Sequence, residues 1–133
     1  MFIKILAAID GKDTSMKALM EAKRMAVSNQ STLRIVHVAT EDTDPKDSLR
    51  LLARAKSAVG DGVTIDTRVL HTEAVYGVTG IVDALANGAR EWGADLVVVG
   101  SSHRRGLERW VIGSVAEQLI AKVDASVLLV RPQ

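Results

Sequence analysis

The sequence predicts an α/β domain: a parallel sheet with helices packed on both faces. Two observations carry this. Short apolar runs, such as the "LVVVG" of "ADLVVVG", alternate along the chain with longer segments of helical periodicity. A strand buried on both faces loses the polar alternation of a half-exposed one, and parallel strands need a crossover between them. The order of elements is β-α-β-α-β-α-β-α-β, and right-handed crossovers then place helices above and below the sheet.

The elements follow in order. "FIKILAAI" (residues 2–9) is a buried strand that stops at Asp10-Gly11. "DTSMKALMEAKRMAVSN" (13–29) changes period, with Met16, Leu19, Met20 and Ala26 on one helical face and Asp13, Thr14 or Ser15 as the cap. "TLRIVHVA" (32–39) is the second strand. "TEDTDPKDS" (40–48) is the most polar stretch and reads as a surface loop, overlapping the start of a helix over 44–60 that has Pro45 near its start and Gly60 at its end. "VTIDTRVL" (63–70) alternates, as an edge strand does. Val78, Ile81, Val82, Leu85, Ala89 and Trp92 form a helical stripe closed by Gly93. "DLVVVG" (95–100) is a central strand, "SVAEQLIAKV" (114–123) a helix and "ASVLLVRP" (125–132) the last strand, closed by Pro132.

Composition narrows the function classes. The 133 residues fit one domain over 1–133 and carry a net charge of +1, which gives no electrostatic case for nucleic acid or an anionic membrane. No cysteine is present, so disulfides, thiolate catalysis and Cys-ligated metal are excluded, and a cytoplasmic location fits. No stretch approaches the roughly 20 apolar residues that span a bilayer, and the apolar start is too short for a signal peptide. His37, His71 and His103 lack metal-ligand spacing, and no metal site is expected. His37, inside an apolar strand, reads as a satisfied core or edge histidine. Trp92 and Trp110 read as packing residues.

In a doubly wound sheet, ligands bind beyond the carboxyl ends of the strands, where strand order reverses. Asp10, Ala39-Thr40 and Gly100-Ser101 lie at such ends. The segment "GSSHRRGLERWVIGSV" (100–115) has two readings. Gly100 and Gly113 let backbone approach a phosphate, the helix start at Ser114 offers free N–H groups, and Arg104 and Arg105 add charge. Alternatively the glycines serve turns, Ser114 and Glu117 form a capping box and the arginines are solvated. Asp10 likewise is either a ligand contact or an Asx turn before Gly11.

Residues 5–11 ("ILAAIDG") with Ser15, "IVHV", "ADLVVVGS", "GLERWVIGSVAEQLI" and "SVLLVRP" resemble a universal stress protein domain over nearly the full chain. The resemblance implies an adenine nucleotide alpha hydrolase-like sheet of order 3-2-1-4-5 and a homodimer. It also implies a regulatory protein that binds ATP or another adenine nucleotide, with Mg²⁺ accompanying a triphosphate, and hydrolyses it slowly or not at all. ATP-binding members carry G-x2-G-x9-G-[ST]. Here the first glycine is Gly100 and the last pair Gly113-Ser114, but His103 replaces the middle glycine. Its side chain either occupies phosphate space or donates to a phosphate. By position, Asp10 matches the acid at the ribose or adenine end and Val38 the residue whose backbone pairs with adenine. Val99 packs nearby, and Gly100, Ser114 and Val115 match ribose and phosphate contacts. Ala8 stands where ATP-binding relatives often have proline.

Two alternatives stand beside this. The departures at His103 and Ala8 favour a dimeric interaction module that has lost the nucleotide. "DGKDTS" is similar to the aspartyl motif of haloacid dehalogenase-like phosphatases, which would make Asp10 a nucleophile, but the second acid falls one residue late. The P-loop lysine motif and the G-x-S-x-G elbow are absent, no residue stands out as a general base, and no catalytic residue is expected. The uncharged last strand would sit at the sheet edge and pair with a two-fold partner's copy.

Overall fold

A computed structural model describes residues 1–101 and 114–131. His103, Arg104, Arg105, Trp110 and Gly113 lie outside the described residues, as does the side chain of Ser114. The strands are β1 (Lys4–Ala8), β2 (Thr32–Ala39), β3 (Thr64–His71), β4 (Leu96–Gly100) and β5 (Ser126–Val130). The helices are α1 (Asp13–Asn29), α2 (Pro45–Val59), α3 (Gly77–Trp92) and α4 (Ser114–Lys122). All strand pairs are parallel, in the order β3-β2-β1-β4-β5. The expected α/β architecture and edge position of β3 are therefore observed.

Period-two alternation in the strands divides the core. Ile5, Ala7, Leu33, Ile35, Leu96 and Val98 face α1 and α2, whereas Leu6, Val36, Val97 and Val99 face α3 and α4. Helices thus cover both faces. Wherever a helix lies directly over the sheet, small residues let it come close. Ala18, Ala22 and Ala26 form the buried stripe of α1 with Leu19. Met16 and Met25 pack at its margin, but Met20, expected on the buried face, is 37% exposed. Val78, assigned to the buried stripe of α3, is exposed to the same extent, while Val82, Leu85 and Ala89 carry the contact.

Several ends differ from expectation for local reasons. Pro45 opens α2 immediately after its cap, Asp44, whose carboxylate accepts from Lys46 N–H at 2.9 Å. The polar stretch 40–48 therefore divides into a turn and the first turn of α2. A short 3₁₀ turn (Ala74–Tyr76) precedes α3. At the amino ends of the strands, Arg34 holds Asp66 through two bonds of 2.8 Å and stacks 4.5 Å from the centre of the Trp92 ring. Trp92 is a packing residue, as expected. No described helix is long and apolar enough to cross a membrane.

Candidate functional site

The site arises where the central strand stops before its neighbours. β1 pairs with β2 as far as Ala8↔Val36 and with β4 as far as Ala7↔Val98, yet β2 runs on to Ala39 and β4 to Gly100. Past Ala8 the chain leaves the sheet. Ile9 N–H makes the last rung, to Val36 O at 2.9 Å. Gly11, at φ +86°, then turns the backbone away in a conformation that side-chain-bearing residues rarely adopt. Helices α1 and α2 lie on one side of this notch and α3 and α4 on the other, because the crossovers leave β1 in opposite directions. The notch is the topological switch point.

The result is a cleft of about 330 Å³. Six of the residues expected at the site line it: Ala8, Asp10, Val38, Val99, Gly100 and Val115. Ser114 opens α4 beside it. The remaining three, His103, Arg104 and Gly113, belong to the segment outside the described residues.

Among the described residues, none meets the β1-facing backbone groups of Val38. Successive strand residues direct their N–H and C=O to opposite sides. Val36 O receives Ile9 of β1, and Ala39 O receives Thr72 beyond β3 at 3.0 Å. Val38 therefore turns both groups toward β1, at a level where Gly11 has already carried the chain away. A donor and an acceptor, side by side, face the cleft. Apolar surface from Ala8, Val99, Ile81, Leu85 and Val115 flanks them.

Asp10 is held by its own turn. Its Oδ1 accepts from Lys12 N–H at 2.9 Å, and its N–H donates to Ser15 Oγ at 3.1 Å. Ser15 in turn donates to Lys12 O at 3.0 Å. Ser15 thus ties the turn together while Lys12, not Asp13, Thr14 or Ser15, takes the cap position of α1. The Asx turn is present, and it engages one carboxylate oxygen of an exposed residue that also lines the cleft. The turn and ligand roles of Asp10 are therefore compatible.

Gly100 has a packing role. A Cβ there would lie 2.7 Å from Thr14 Cγ2 and 2.9 Å from Thr14 O. The first turn of α1 sits directly on the end of β4, which only glycine allows.

His37, not expected at the site, also lines the cleft. Its Nδ1 lies 3.1 Å from the Oγ of Ser48, a residue of α2 only 1% exposed. Burial pushes the His37 pKa below its ordinary value, and the Asp10 charge opposes this. The expectation of a satisfied histidine holds, with the addition that it sits at the cleft. Ser101, expected at a ligand-binding strand end, lines the cleft too; Lys12, Thr14 and Ser15 are lining residues not foreseen. The signal for these three was the spacing Asp10-Gly11 to Ser15, a turn closed by a hydroxyl.

The profile of the Universal stress protein family matches residues 1–131. The chain is 31% identical to universal stress protein YxiE of Bacillus subtilis, over 98% of this chain and 100% of that protein. A crystal structure of a universal stress protein in complex with cAMP matches with a TM-score of 0.69 at 25% identity, covering 97% of both chains. A universal stress protein from Archaeoglobus fulgidus in complex with dAMP matches with a TM-score of 0.72 at 23% identity, covering 96% of this chain and 97% of that one.

Proposed function

The chain belongs to the universal stress protein family, with its adenine nucleotide alpha hydrolase-like fold, and from that premise we propose that it is a regulatory protein binding an adenine nucleotide in the cleft beyond β1. The observation that carries this is the pair of open backbone groups on Val38 beside an apolar slot. Adenine presents an acceptor, N1, next to a donor, N6–H₂. Val38 N–H and C=O match that pair, whereas guanine offers the reverse polarity. A flat base lying between Ala8 and Val99 would bury apolar area while Asp10 accepts from sugar hydroxyls. The relative solved in complex with cAMP supports an adenine-containing ligand.

Hydrolysis is slow or absent on this reading, since no described residue of the cleft is placed as a general base against a phosphate. ATP, with Mg²⁺, and AMP are both ligands of the proposed site. The protein acts in the cytoplasm as one domain and as a homodimer joined through β5. Calorimetric titration tests the ligand. AMP and ATP should bind, GMP should bind about tenfold more weakly or worse, and Ala8→Leu, which fills the slot, should abolish binding with the circular dichroism spectrum retained. A wild-type protein that binds no adenine nucleotide at millimolar concentration, with or without Mg²⁺, overturns the reading and leaves the β5-joined interaction module in its place.

A further inference from the structure

We propose that Lys12 makes this cleft selective for phosphorylated nucleosides, its ammonium pairing with the phosphate nearest the sugar. The inference rests on the adenine-nucleotide reading above and adds the residue that distinguishes a nucleotide from a nucleoside.

Charge within the cleft is sparse. Among the described residues that line it, Asp10 is the sole carboxylate and Lys12 the sole lasting cation, His37 being held toward its neutral form. An anionic ligand group would avoid the first and seek the second. The backbone that carries them is fixed, because their turn is closed by three hydrogen bonds: Lys12 N–H to Asp10 Oδ1, Asp10 N–H to Ser15 Oγ, and Ser15 Oγ to Lys12 O. Acid and base therefore leave a fixed turn two residues apart, the lysine on a stem long enough to follow a ligand.

That pair matches a sugar phosphate. Asp10 keeps one oxygen for hydroxyl donors, and a ribose carries its 5′ phosphate one methylene from the ring. A ligand whose hydroxyls meet Asp10 therefore holds that first phosphate within reach of a neighbouring lysine. Place agrees with chemistry. Thr14, two residues after Lys12, packs on Gly100, so the helix start that follows Lys12 stands over the end of β4, whereas the Val38 groups assigned to the base belong to β2. Among the described residues no carboxylate pairs with the Lys12 ammonium, whereas Lys17 on the same helix is engaged with Arg131 O at 2.9 Å. A surface lysine that is merely solvated would share that exposure but would have no effect on which ligand binds.

The test titrates adenosine, AMP and ATP into wild type, Lys12→Gln and Lys12→Arg at low and high salt. Lys12→Gln should weaken AMP and ATP by the same factor, about tenfold or more, and leave adenosine within about twofold. Lys12→Arg should retain most of the AMP affinity, and the salt dependence of AMP binding should shrink in Lys12→Gln. AMP affinity unchanged by Lys12→Gln overturns the proposal alone, with the nucleotide site intact. An equal loss for adenosine and AMP also overturns it, since Lys12 would then only support the turn. If wild type binds neither adenosine nor AMP, the nucleotide reading falls and this one with it.

Discussion

Gly100→Ala should destabilise the protein through α1 even though the residue lies at the cleft. The added methyl would stand 2.7 Å from Thr14 Cγ2, 2.9 Å from Thr14 O and 3.1 Å from Thr14 C. All three distances are well inside ordinary carbon contact, and two of the three atoms are backbone. The side-chain clash could be relieved by a rotamer change. The backbone clash requires the first turn of α1 to lift away from β4, against the packing of Ala18, Leu19 and Ala22 beneath it. Overpacking of this kind costs about 2 kcal/mol, which corresponds to roughly 5–10 °C in melting temperature for a domain of this size. Thermal and urea unfolding followed by circular dichroism would measure it. Thr14→Ser removes Cγ2 but not the carbonyl, so the double variant should recover only part of the loss. Equal midpoints for wild type and Gly100→Ala would refute the packing role and return Gly100 to a purely ligand-facing one.

Two further outcomes are expected. His37 is held below its ordinary pKa by burial, so the unfolded chain binds its proton more tightly than the folded one; its contribution to stability is complete above about pH 6.5 and is lost as the pH falls through the lowered folded value. His37→Gln should flatten that part of the stability curve, and parallel curves for the two proteins would contradict the assignment. Wild type should sediment as a dimer at micromolar concentration, and a monomer there would exclude pairing through β5. Val127 and Leu129 prove half-buried against the α3/α4 side of the core, so a Val127→Lys, Leu129→Lys protein is informative only if its smaller particle keeps its circular dichroism spectrum.

Most of the fold was legible because burial on both faces leaves a plain mark. "LVVVG" reads as a central strand in any context, and it is β4, with four buried residues of five. Other features were hidden for definite reasons. Hydrophobicity favours Met20 over Ala18 and Ala22 as a buried residue, but a helix lying flat on a sheet selects for size, and the alanines won. Ala74-Val75-Tyr76 has no residue with turn chemistry, so its 3₁₀ turn left no trace in the pattern. Of the cleft, residues at strand ends were found, because the topology names those positions. Those supplied by the start of α1 were not, since Lys12 and Thr14 have no chemistry that separates them from ordinary first-turn residues until Ser15 is seen to close the turn.

The unpaired state of Val38 links the fold to the proposed activity. A backbone donor and acceptor without partners are costly when sealed in a dry interior. Here they face a cleft that opens to solvent, where water can satisfy them, so the shortness of β1 is tolerated in the empty protein. A ligand must then return hydrogen bonds at least as good as those it displaces. A base with the matching donor and acceptor does so; one with the reversed pair leaves both protein groups unsatisfied as the apolar slot closes around it. Discrimination between bases thus follows from where one strand ends, and it requires no side chain to change. The proposed base recognition therefore does not depend on the signature position at which His103 stands in place of glycine. On the proposed reading the base is read by β2, whereas the glycine signature spans residues 100–114, so the change at position 103 falls outside the groups that would select the base.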